Sequence, residues 1–182
     1  MTELVNPKEL GAEARNLYQK GEYVAAAQTF QACAYAYTSL SQAALAVEMR
    51  SNASVAFLMA GELPAALDAL AGVEEFYAQS GDIRSLALAV GNRAAILDQL
   101  RQDEAALAAY ERCADLLKQA GDFESRSYVM QSLSKLQLRR GQQLQALATM
   151  QAGIDAIPNP SPRQKLLKRL LKIPAGFLNL KS

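Results

Sequence analysis

Residue types return at a fixed interval of forty along this chain, and a period of that length confines the fold to a stack of like units. Gly21, Gly61 and Gly141 share one column of the period. Ala26, Ala66, Ala106 and Ala146 share another, and the large apolar set Phe30, Leu70, Tyr110 and Met150 follows it. Asn52 matches Asn92, Gly81-Asp82 matches Gly121-Asp122, Tyr37 matches Tyr77 and Cys33 matches Cys113. Alanine is common enough to coincide, but so many columns in one register are no coincidence.

Each period divides into two helices by ordinary stop and start signals. The first ends at the Gly column, where a residue without Cβ can take the left-handed conformation that closes a helix. The second starts within a few residues, and Pro64 fits its first turn, where a missing N–H costs nothing. Asp82 and Asp122 stand where the next helix wants an N-cap acceptor, and Asn6-Pro7-Lys8-Glu9 opens the first hairpin with a cap, a Pro and a reciprocal acid. These signals predict helices over about 7–20, 23–39, 42–60, 63–79, 82–100, 103–119, 122–140 and 143–156. The fold class is therefore all-α. A composition that is 51% apolar with no Trp suits an Ala- and Leu-rich helical protein.

Residues 1–157 form one domain of four hairpins, at about 7–41, 42–81, 82–121 and 122–157. Where the helices of a hairpin cross, the Ala26 column lets backbones approach and the Phe30 column fills the space beside it. Each hairpin has an apolar face it cannot bury alone. Stacking buries it, and a stack of such units is a curved superhelix with an inner surface.

These residues resemble the tetratricopeptide repeat family in its long form, with a period near forty, as in kinesin light chains and spindle-orientation adaptors. The likeness spans residues 7–157 and rests on the small residues Ala14, Ser54, Ala94 and Ser134, the bulky Leu17, Phe57 and Leu97, and the Gly, Ala26 and Phe30 columns. It implies a right-handed superhelical solenoid of four hairpins with a C-terminal amphipathic helix added. The chain departs from the pattern at Arg101, which replaces a turn Gly and must accept a left-handed backbone or turn differently. Gln137 stands where a bulky apolar residue belongs, and Gly153-Ile154-Asp155 loosens the last helix, so the fourth repeat reads as a divergent terminal unit.

The resemblance places the first helices on the concave face, where an Asn at the column of Asn52 and Asn92 holds the backbone of a bound peptide. A carboxamide suits that task because it donates and accepts without reading side chains. The same spacing brings Arg15, Gln19, Asp98, Gln99, Lys135 and Arg139 onto this surface as the candidate peptide-binding groove. The plainer alternative is two Asn side chains in a solvated groove. Asn is a poor interior helix residue, which favours a role for it, although Ala12 and Ser132 interrupt the column.

Other chemistry is thin. The chain has no His and two cysteines, and Cys33 and Cys113 share a small-residue column with Val73, as buried filler does. Most tyrosines recur at helical spacing as packing residues, with Tyr18 and Tyr128 near the proposed inner face. Glu74-Glu75 and Asp103-Glu104 are adjacent pairs that diverge around a helix, which reads as a solvated face rather than a catalytic pair. No phosphate loop and no metal-ligand cluster stands out. The expectation is a protein that is not an enzyme and needs no cofactor or metal. No secretory signal or membrane span is read, so the expected place is the cytoplasm.

Charge is unevenly distributed. Residues 1–162 hold 13 Lys and Arg against 18 Asp and Glu, whereas residues 163–182 hold six basic residues and no acid. A Pro-rich spacer, 158–162, leads into this basic tail. Leu166, Leu167, Leu170 and Leu171 make one stripe of a helix, with Lys165, Lys168, Arg169 and Lys172 opposite. Such a helix can cap the last hairpin or lie on an anionic membrane surface. Nucleic acid fits less well, since no aromatic interleaves with the basic residues. The cap is the expectation, and self-association through the ends of the stack is a further possibility. The leading function is an adaptor or scaffold holding a peptide or helix of another protein in the groove.

Overall fold

The computed structural model describes residues 6–158 and 160–171. The side chains of Arg163, Leu167, Leu170 and Leu171 lie outside that description. The elements are α1 (Pro7–Gln19), α2 (Tyr23–Ser39), α3 (Ala43–Ala60), α4 (Leu63–Ala69), α5 (Val73–Ser80), α6 (Ile83–Gln99), α7 (Asp103–Gln119), α8 (Phe123–Arg139), α9 (Gln143–Asp155) and α10 (Pro162–Leu171). There is no strand among the described residues. Helices pack in neighbouring pairs along the chain, and α3 also reaches α5 and α6.

The repeat columns are the core. Ala14, Ser54, Ala94 and Ser134 are all buried, as are Ala26, Ala66, Ala106 and Ala146, so the helix crossings fall where the small residues recur. In the fourth hairpin the crossing is also tied by a hydrogen bond from the Ser134 hydroxyl to the Ala146 carbonyl, at 2.8 Å. Ile96, Leu117, Leu136 and Ile154 supply the largest fully buried aliphatic side chains.

The turns keep a stricter rhythm than the sequence predicts. Left-handed residues stand at Gly21, Ser41, Gly61, Gly81, Arg101, Gly121 and Gly141, one every twenty positions. At most of them the following amide reaches back to the bulky column, as Glu22 does to the Leu17 carbonyl and Gln102 to that of Leu97, which satisfies an otherwise orphaned helix-end group. Arg101 accepts the left-handed backbone at φ 60°, and Ser41 does the same at φ 56°. A left-handed non-glycine costs roughly 1–2 kcal/mol, against which glycine's extra freedom in the unfolded chain must be set. Ser41→Gly and Arg101→Gly are therefore each expected to stabilise by about 0.5–1 kcal/mol in denaturant unfolding. A loss of stability in both variants would contradict the turn geometry.

The second hairpin departs from expectation. The single helix predicted over 63–79 is two, because Gly72 turns left-handed at φ 74° between α4 and α5. Its column holds Ala32, Arg112 and Ala152 within the unbroken helices α2, α7 and α9. A second departure in the same repeat accompanies it. Arg50, in a column otherwise filled by Leu10, Val90 and Met130, donates its guanidinium to the Ala71 carbonyl that the break frees.

Asp82 and Asp122 cap α6 and α8 as the sequence predicts, accepting from the Ser85 amide at 2.9 Å and the Ser125 amide at 3.0 Å. These backbone bonds hold both carboxyls below their ordinary value of 3.8, and Arg84 adds to the effect at Asp122 from 3.0 Å. A carboxyl depressed by folding stabilises fully above its unfolded value and loses that contribution as pH falls through the folded one. Acidification below about pH 4 is therefore expected to lower the melting temperature more in the natural chain than in the Asp82→Asn/Asp122→Asn variant, whose amides cap without titrating. Equal acid slopes would refute the assignment.

The fourth hairpin differs from the others in polarity. Gln137 is 2% exposed in the bulky column, and its Oε1 has no partner. Buried atoms of Arg126, Ser127, Arg140 and Gln142 also lack partners, whereas the first three hairpins contribute only the Ser54 hydroxyl among the described residues. Gly153 does not loosen α9, which continues to Asp155. A Cβ there would lie 3.0 Å from Met130 Cβ, so the glycine lets Met130 pack against the helix backbone.

Candidate functional site

On α1, α3, α6 and α8, the residues at 12, 15 and 19 of the period share one helix face, since steps of three and four follow the helical turn. Two clefts open along it. The first, about 260 Å³, lies between α1 and α3 and gathers Arg15, Gln19 and Asn52 with Tyr18 and Val55. Three of the predicted groove residues thus meet in one place. The second, about 300 Å³, lies between α6 and α8 and takes in Asn92, with Leu88 and Tyr128 beside it. The Asn92 amide also reaches the Ser51 hydroxyl at 3.5 Å, linking α6 to α3.

Asp98 and Arg139 come together in a different way. The Arg139 guanidinium lies 2.6 Å from Asp98 and 2.7 Å from Asp103, so it clasps the third hairpin to the fourth. The hydrogen bonds that Arg139 donates to these carboxylates, the one to Asp103 foremost, push its pKa further up. Tyr110 donates to Asp98 at 3.5 Å, and burial pushes its phenol up to about 12. Arg140 pairs likewise with Glu104, whose carboxyl it holds below the usual range. Asp103-Glu104 is thus the solvated face expected, Glu104 being 82% exposed, and it is ion-paired as well. Gln99 and Lys135 are exposed and line neither cleft.

Glu74, unlike its neighbour Glu75, departs from the solvated face expected of it. Its side chain is 13% exposed, held by Arg93 at 2.6 Å and Arg112 at 2.8 Å. The three residues border a cleft of about 410 Å³ beside the α4–α5 break, and Arg50 and the exposed Tyr35 border another of about 370 Å³.

Both thiols are interior. Burial pushes Cys113 up to about 12 and raises Cys33 as well, and each S–H points at a carbonyl, Ala87 and Pro7 respectively. They remain protonated filler at neutral pH. No group of three or more His, Cys, Asp and Glu is placed to hold a metal ion among the described residues. No helix among them is long and apolar enough to cross a membrane.

Of the predicted leucine stripe on the C-terminal helix, Leu166 alone has a side chain among the described residues. α10 lies against α9, and Lys168 Nζ meets Asp155 at 2.9 Å. Lys168, expected on the solvent side, therefore faces the array. Leu166, two residues earlier and so on roughly the opposite side of the helix, is 59% exposed rather than covered. Lys165 and Arg169 are exposed, while the side chains of Leu167, Leu170 and Leu171 and the whole of Lys172 lie outside the described residues.

Sequence reasoning missed Val55 and Leu88 as parts of the face. The signal was present, since their columns hold charged residues elsewhere, Arg15 and Lys135 for one and Lys8 and Glu48 for the other. No protein-family model matches the chain, and no curated protein matches it in sequence.

Proposed function

We propose that this chain is a non-enzymatic adaptor of the tetratricopeptide kind, its four hairpins stacked as a right-handed superhelix and its row of first helices holding a segment of another protein in the cytoplasm. The observation that carries this reading is the meeting of Arg15, Gln19 and Asn52 in one cleft, on the helix face that carries Asn92 in a second. Two carboxamides in register can hold main-chain amides, and the groups around them can choose the side chains. Arg139 and Asp98 serve the scaffold, because each already satisfies the other. The test uses peptides selected on the intact protein from a random display library. Replacing Asn52 and Asn92 by Ala is expected to weaken their binding by about 0.5–1.5 kcal/mol per lost hydrogen bond and to leave the melting curve unchanged. Affinity that survives the double change places the binding elsewhere.

One observation favours a second reading, in which α10 meets an anionic membrane surface. Leu166 is exposed between the exposed Lys165 and Arg169. Sedimentation with anionic vesicles that falls as salt rises and is lost in Leu166→Ser would support it.

A further inference from the structure

We infer that the cleft between α2 and α4, on the second helices and apart from the face that carries Asn52 and Asn92, binds a small aromatic monocarboxylate. Two clefts of the second-helix row occupy the same place in successive periods. Gln31, Ala34, Tyr35 and Thr38 line the first, and the positions forty further on line the second. The second holds its own acid, since Glu74, in the column of Ala34, takes Arg93 and Arg112. The first has a cation, from another column, and no acid to match it. Arg50 stands half-buried in its lining, and among the described residues it makes a single hydrogen bond, to the Ala71 carbonyl, and no ion pair.

A guanidinium drawn partly out of water without a counter-charge has lost hydration for the sake of one carbonyl. Most of its N–H fork remains, and a carboxylate matches that fork with two parallel bonds. The aromatic part of the ligand follows from Tyr35. Its column is otherwise acidic, with Glu75, Asp115 and Asp155, yet here it carries a ring that is 75% exposed beside the cleft. Such a ring offers a flat apolar surface to a second one. An Arg in an apolar column and a ring in an acidic one thus break the pattern of the repeat at one cleft, and local rules broken together mark a site.

Size and charge narrow the ligand further. The cleft, about 370 Å³, lies at the lower end of the range for small-molecule sites and has room for one ring and its acid. Asp68 is exposed in the same lining, so a second negative charge on the ligand would meet a carboxylate. A monoanion is therefore preferred to a phosphate. Thr38 donates its hydroxyl proton to the Ala34 carbonyl at 2.9 Å, which leaves the oxygen free only to accept. With Asp68 it suits a hydroxyl carried on the ligand's ring.

The experiment titrates the isotope-labelled full chain with para-hydroxyphenylacetate and follows its amide resonances. The expected result is saturable shifts at Gln31, Ala34 and Thr38 with a dissociation constant of about 1 mM or tighter. Tyrosol, which has the ring without the acid, acetate, which has the acid without the ring, and phenyl phosphate, a dianion, should each bind about tenfold more weakly. Arg50→Gln and Gln31→Glu, the second adding an acid to the lining at unchanged size, should each weaken the acid about tenfold, and Tyr35→Ser severalfold. Tyr35 is exposed, so its variant tests the site even where Arg50→Gln loosens the α4–α5 break, and melting curves verify the folds. Asn52→Ala/Asn92→Ala should bind the acid unchanged, which separates this site from the groove. An aromatic residue at the carboxyl end of a partner chain shares the chemistry of the free acid, so short peptides ending in Tyr are titrated beside it, and the tighter binder names the source. No shift at about 10 mM acid overturns the inference. So does binding that tyrosol and phenyl phosphate match, or that both Tyr35→Ser and Gln31→Glu leave unchanged.

Discussion

Gln137→Leu is expected to raise the stability of the chain by about 1–3 kcal/mol, the opposite of what most core substitutions do. The position belongs to the column of Leu17, Phe57 and Leu97, and the side chain is buried with its Oε1 unpaired. A desolvated amide oxygen without a donor has lost water and gained nothing, while Leu fills a similar volume with apolar surface. The denaturation midpoint should move up with an unchanged slope. Gln137→Ala separates the causes, since it also removes the amide but leaves a cavity and should show no comparable gain. A destabilised Leu variant would mean that the amide is bonded after all.

Ala106→Leu is expected to move stability the other way, by about 1–3 kcal/mol, because the crossing of the third hairpin has no room for more atoms. Ala106 is fully buried in one cluster with Ala94, Leu97, Leu133 and Leu136. Any longer side chain must push the helices apart or leave its preferred rotamer. Ala108→Leu, on the exposed side of the same helix, is the control and should stay within about 0.5 kcal/mol. Equal behaviour of the two variants would remove the crossing from position 106.

The helices were legible because their limits are local. Gly21, Gly61, Pro64, Asp82 and Asp122 act within a turn of where they stand, and the predicted ends agree with the observed ones to within a residue or two. The turn between 39 and 42 was legible as well, but not the left-handed backbone of Ser41, because serine carries no left-handed preference and only the position of its neighbours in the period exposes it. The break at Gly72 was hidden for another reason. Glycine alone does not end a helix, and the group that stabilises this break, Arg50, lies 21 residues earlier. The site was half legible: helical spacing put Arg15, Gln19 and Asn52 on one face, but it could not show that Arg139 is held by Asp98, 41 residues away. That separation is one period and one residue. Comparing opposite charges across neighbouring columns would have found the pair.

The left-handed turns tick every twenty residues, whereas the chemistry of the helices alternates and returns only every forty. The array therefore has a parity. Excising one helix and one turn would keep every remaining turn in step yet make each downstream first helix take the place of a second, exchanging Asn92 and Tyr128 for residues suited to the other side. Excising two restores the phase. Length variation in such a chain is thus quantised in whole hairpins, and a half-hairpin loss acts like a frameshift written in three dimensions.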